Sequence, residues 1–286
     1  MNIASFFGSG QRKPEWTYSA RGTIWRIEVS GSGKILGEVR DEERKVVSFF
    51  CLEGETGAPR WEDRKLEERW WVGIESVQGN TLLLHQFAQP DLPQHKCILA
   101  LDIHTGAERW RNDDLTYWFG LREKVYAYRD TFEKRIGYTL DVETGVIEQT
   151  YSENLDELMA LRTASFQELP SGDSRFPEIL DERLREPSIV GVVEKETSGK
   201  KVAGHVEYLR EQDLLLFNYH ELSRNSSFEA PLYQNHFVIF DLHQRKRVFS
   251  EVLASGLRTP VPDSFFTRPP FVYFVKNQNI LTAIRL

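Results

Sequence analysis

The chain has 286 residues, 40% hydrophobic and 28% charged, enough apolar material for one large or two small domains and too much for a disordered segment. Its 36 lysines and arginines against 43 aspartates and glutamates leave a formal charge of −7, which repels a phosphate backbone and argues against a nucleic-acid partner. Two cysteines are too few for a disulfide framework, and no apolar run approaches the ~20 residues of a membrane-spanning helix.

Residues 1–16 show no basic n-region and no small-residue cleavage pattern, so no secretory or lipoprotein leader is expected and the chain is read as cytoplasmic. Residues 1–15 read as a flexible N-terminal segment and 16–286 as one domain. Near the start, residues 22–28 supply a glycine, a strand and Trp25. Residues 49–61, FFCLEGETGAPRW, are an apolar run, the acid Glu53, the pair Thr56-Gly57, and a short strand carrying Trp61. Residues 97–110, CILALDIHTGAERW, repeat that layout with Asp102, Thr105-Gly106 and Trp110. A third copy places Asp141, Thr144-Gly145 and Gln149 at the same offsets. Cys51 and Cys97 lie inside two of these apolar runs and read as small buried hydrophobes.

The later copies are worn. Residues 189–202 offer Glu194 and Thr197, and residues 236–249 set Asp241 in the acidic slot with Gln244-Arg245 in place of Thr-Gly. The chain ends on NILTAIRL, with Arg285 in the acidic slot and no strand after it. Anchors at 53, 102, 141, 194, 241 and 285 imply six repeats of about 48 residues. A period of that size, rich in Val, Ile, Phe, Tyr and Trp with turns between runs, indicates propeller blades rather than a helical solenoid. The expected fold is therefore an all-β six-bladed β-propeller, or five blades plus an insertion if 155–200 is not a full sheet. Pairing of the strand around Ile24 and Trp25 with 280–286 is expected to close it. The Thr-Gly pairs suit tight turns, and Trp61, Trp110 and Trp25 suit packing between blades.

The run of apolar strand, acid, two residues, Thr-Gly and Trp eight positions after the acid resembles the repeat of the quinoprotein-type (pyrroloquinoline-quinone-like) β-propellers, clearly over 49–61, 97–110 and 136–149. The resemblance implies a fold. Quinone dehydrogenases of that superfamily are longer, eight-bladed and exported, and use a catalytic acid, a calcium ion and often an adjacent-cysteine disulfide. This chain has no vicinal cysteines and is short of eight full blades, so no cofactor is expected. The repeat also resembles that of outer-membrane assembly scaffolds, and the chain reads as a bacterial relative without the cofactor site.

Two long insertions, 170–187 and 221–235, fall between second and third strands of neighbouring repeats and are expected to cap one face. Within the first, a short helix is expected from about Pro177. Candidate binding residues on this loop-rich face are Arg183, Arg185, His220, Arg224, Tyr233 and His236. His220 and His236 flank one loop, but no third ligand is identifiable and no metal set is assigned. The first strands of the repeats, expected to line a channel, carry Glu28, Glu75 and Glu207, carboxylates suited to a hard cation or simply to hydrating a bore. Dinucleotide-binding, phosphate-loop, H-E-x-x-H and G-x-S-x-G motifs are absent. The favoured reading is a non-catalytic binding or scaffolding propeller with a protein or small-molecule partner. The alternative is a metal-dependent hydrolase or lactonase with its site in the channel.

Overall fold

The acid-x-x-Thr-Gly runs fold as tight turns because each residue type meets a local need. Asp102 Oδ1 accepts the backbone N–H groups of His104 and Thr105 at 2.8 and 2.9 Å, and the Gly106 N–H returns to the Asp102 carbonyl at 2.8 Å. Gly106 has φ +68°, a left-handed conformation that costs glycine nothing. Asp141 and Gly145 repeat the arrangement, and in the worn copy Gln244 bonds to Asp241 Oδ1 at 2.7 Å while Arg245 takes φ 52°. Between turns the apolar, β-branched runs pair as antiparallel strands.

The computed structural model describes residues 12–286 apart from residue 91 and residues 167–172, 182–185, 224–225 and 227–229. It divides into two compact units, Ala20–Asp173 and Met1–Ser19 with Ser174–Leu286. The first strand, β1 (Trp16–Ser19), belongs to the second of these.

The Ala20–Asp173 unit holds three sheets, each a four-stranded meander in chain order. They are β2 (Thr23–Val29), β3 (Lys34–Asp41), β4 (Val46–Glu53) and β5 (Pro59–Arg64); β6 (Val72–Gln78), β7 (Thr81–Phe87), β8 (His95–Asp102) and β9 (Glu108–Asn112); and β10 (Thr116–Leu121), β11 (Lys124–Asp130), β12 (Arg135–Asp141) and β13 (Ile147–Tyr151). Helix α1 (Asp156–Ser165) follows and docks Leu158, fully buried, where Gly137 leaves room for it. One core joins the first and second sheets through Leu36, Phe49, Val72 and Leu84, and another joins the second and third through Leu83, Ile98, Val125 and Leu140.

The other unit holds two sheets. In one, β14 (Glu178–Ile179), β15 (Val202–Glu211), β16 (Leu214–Leu222), β17 (Tyr233–Asp241) and β18 (Lys246–Leu257) pair in order. Helix α2 (Pro187–Thr197) packs Ile189 and Val193 on it. In the other, β19 (Phe265–Arg268), β20 (Phe271–Lys276) and β21 (Ile280–Arg285) are completed by β1.

Three sequence expectations are corrected. The fourth repeat anchor, Glu194, lies in α2 and not on a strand, because the run 187–197 buries Ile189 and Val193 at helical i, i+4 spacing. The described residues form five sheets with the segment around 194 as an insertion, which matches the alternative of five repeats plus an insertion rather than six repeats. The two chain ends do share a sheet, but the strand that meets β21 is β1, with Trp16 opposite Ala283 and Ser19 opposite Ile280. Ile24 and Trp25 instead start the first sheet of the other unit, and Trp25 is 63% exposed. Finally, Glu178 and Ile179 form an edge strand on β15 where a helix was expected.

Candidate metal centre

Each of the first three sheets opens with a strand carrying one extra residue. The ladder steps from Ile24 to Arg26 in β2, from Ile74 to Ser76 in β6 and from Tyr117 to Phe119 in β10, leaving Trp25, Glu75 and Trp118 as the bulged positions. A bulge bends the strand and re-aims its side chain. Where the flanking sheets place tryptophan, the middle sheet places a carboxylate. A second irregularity lies on β8, where Cys97 has φ 61° and the ladder steps from Leu84–Leu99 to Gln86–Lys96.

Together these bulges gather Glu75, His85 and His95 from three consecutive strands, with ligand-type atoms all within 4.8 Å of one another. Glu75 Oε1 lies 2.7 Å from His95 Nδ1 and 3.3 Å from His85 Nδ1. The two imidazoles stack at a centroid separation of 3.5 Å, 6° from parallel, with Phe87 edge-on to both. The His85 side chain is 6% exposed, its Nδ1 faces only Glu75 and its Nε2 has no hydrogen-bond partner; the His95 side chain is 32% exposed and forms the open side. Burial lifts the Glu75 carboxyl, but the two histidines outweigh it and hold the pKa at about 2, so Glu75 is an anion. An ionised carboxylate only accepts, so the 2.7 Å contact places a proton on His95 Nδ1.

The neighbourhood is built to keep this geometry. Arg26 donates to the carbonyls of Ile74 and Glu75 at 2.8 and 2.9 Å, tying β2 to the bulge. Glu38, 1% exposed, accepts the Ile74 N–H at 2.9 Å and pairs with Arg40, whose guanidinium lies over Trp70 at 5.1 Å. Gly73 stands opposite His85, and a Cβ there would lie 3.0 Å from the ring and 3.1 Å from the Glu38 carboxylate. Glycine therefore lets the ring sit flat against the strand.

Of the channel candidates, Glu28 and Glu75 come to adjacent first strands, linked by Arg26, which donates to Glu28 Oε1 at 2.9 Å. Burial pushes the Glu28 carboxyl up against the pull of Arg26. Glu207 lies in the other unit on β15, where its Oε1 accepts the Asp263 N–H at 3.2 Å and burial raises its pKa. Of the loop-face candidates, Arg183, Arg185 and Arg224 lie outside the described residues. Tyr233 begins β17 opposite Leu222. His220 is 3% exposed and its Nε2 accepts the Val261 N–H at 3.1 Å. His236 faces Tyr219 across the ladder and stacks on it, so strand alternation puts His236 and His220 on opposite faces of the sheet. They share no ligand position.

His85 and His95 did not emerge from the sequence reading. The available signal was the triplet Ile-Glu-Ser at 74–76 beside Ile-Trp-Arg at 24–26 and Tyr-Trp-Phe at 117–119. The shift that brings His95 alongside comes from the Cys97 bulge, which no residue type announces.

A family model for a domain of unknown function, DUF4905, matches residues 29–110, which include all three site residues. No curated protein matches. Among solved structures, an uncharacterised protein of Listeria monocytogenes is similar at 10% identity, with 91% of this chain and 93% of that one covered and a TM-score of 0.34. The β-propeller domain of the Trilobed protease of Pyrococcus furiosus is similar at 9% identity, with 91% and 65% covered and a TM-score of 0.31. Likenesses this loose leave the fold to be judged from its own sheets.

Proposed function

We propose that this chain is a non-catalytic binding module of β-propeller type, and that its ligand enters at the nest formed by Glu75, His85 and His95. One observation carries the reading: a buried imidazole whose Nε2 has no hydrogen-bond partner stands with its Nδ1 3.3 Å from the Glu75 carboxylate. A buried polar atom without a partner costs about 1–3 kcal/mol, a cost that a ligand removes on binding. The exposed edge of His95 supplies the entry, and three strands of one sheet supply rigidity.

The test is nitrogen-15 imidazole spectroscopy of the full chain, titrated with acetate, phosphate, ammonium and divalent cations. His85 and His95 should respond together to one of these solutes before the other five of the seven histidines. Uniform or absent responses would overturn the reading. A hydrolytic role is favoured by one feature, the raised pKa of Glu28 on the neighbouring strand, which suits a general base. In that case Glu28→Gln abolishes turnover of a lactone or ester substrate while ligand binding persists.

A further inference from the structure

We propose that the ligand of this nest is a single late first-row divalent metal ion, of the zinc class, coordinated by the Glu75 carboxylate and one ring nitrogen each of His85 and His95. The inference rests on the binding reading above and names its ligand. Two imidazoles and one carboxylate form a donor set of intermediate softness, which suits zinc and its neighbours. Calcium and magnesium require several oxygens, and this nest offers one carboxylate.

Spacing agrees for one of the two histidines. Donors held tetrahedrally at about 2.0–2.2 Å stand roughly 3.3–3.6 Å apart. The Glu75 Oε1 to His85 Nδ1 separation of 3.3 Å meets that value, whereas His95 Nδ1, at 2.7 Å, is in hydrogen-bond contact and must draw back. The unpartnered, buried Nε2 of His85 is the second, independent observation, since a hydrogen-bonded cluster assembled only for packing would satisfy its most buried member first.

The stack defines what must change on binding. Lone pairs lie in the ring planes, and planes 6° from parallel do not bring two lone pairs to one point. One ring must therefore turn. His95 is the ring with room, being half-buried at the open side, whereas His85 is wedged between Phe87 and the glycine backbone at 73. Coordination through one His95 nitrogen leaves the other to carry the ring proton. Three coordination sites on the ion are filled by protein, and the exposed side leaves room for water or a small ligand.

The deciding experiment is isothermal titration of the chelator-stripped full chain with zinc, with calcium as control, in wild type and in His95→Gln. Binding of one zinc per chain, weakened at least tenfold in His95→Gln and accompanied by loss of the ring-stacking signature of His85 and His95 in proton spectra, supports the proposal. Cobalt(II) substitution should give visible bands that His95→Gln loses. Absence of zinc binding in the folded wild type, equal binding in His95→Gln, or calcium binding as tight as zinc overturns it. If zinc fails while another solute moves the His85 and His95 resonances, only the metal assignment falls; if nothing moves them, the binding reading falls with it.

Discussion

The indole of Trp61 lies across Gly106, the turn glycine of the next sheet: Trp61 Nε1 donates to the Ile103 carbonyl at 2.9 Å, and a methyl group on Gly106 would stand 3.0 Å from the ring. Trp110 meets Gly145 in the same way, donating to the Val142 carbonyl at 2.9 Å. The repeat motif is thus one device in two parts, a turn that needs glycine for its φ and a tryptophan that needs it for space.

Gly106→Ala meets both demands at once, a left-handed φ and a tryptophan face. It should lower stability by about 1–3 kcal/mol in chemical denaturation. Trp61→Phe, which keeps the ring but removes the donor, should cost less. A neutral Gly106→Ala would show that the turn and the indole are not coupled.

Helix α1 is held through Leu158, fully buried against the space left by Gly137. Leu158→Ala should cost about 2–5 kcal/mol. Hydrogen exchange should show the loss concentrated in α1 and β12.

Acid should weaken the turn at Asp102. Burial lifts its carboxyl, but Arg109 and the turn amides outweigh burial and hold it at about 2 against an ordinary 3.8. A depressed folded pKa contributes stability that is complete above 3.8 and lost as the pH falls toward 2. Asp102→Asn should be less stable at neutral pH and flatter across that acid window in urea titrations.

His220 and His236 act at a higher pH. Burial holds both below the ordinary 6.5, so the unfolded chain takes up their protons more readily as the pH falls through that value. Stability should decline as the pH is lowered from about 7 to about 5. In His220→Gln, which retains an acceptor for the Val261 N–H, the decline should be shallower.

The thiols should be inert. Cys51 and Cys97 are 0% and 2% exposed, and burial pushes both up to about 12. A thiol reagent should modify neither in the native chain and both after unfolding; rapid native labelling of either would contradict the packing described.

Local patterns were legible from residue types alone. The turns at 53–57, 102–106 and 141–145, the strands before them and the burial of both cysteines follow from side-chain volume, alternation and the freedom of glycine, all properties of short stretches of chain. Glu194 was misassigned because the short apolar run 189–193 before it suits either a strand or a helix, and only the surface offered by β16 and β17 to Ile189 and Val193 decides between them. The strand joining β21 depended on register, and one register resembles another until the side chains opposite are known. The nest was hidden for the same reason. Glu75, His85 and His95 meet because two bulges each add one residue to a ladder, and a bulge is settled by the hydrogen bonds of the neighbouring strand, not by the residue that occupies it.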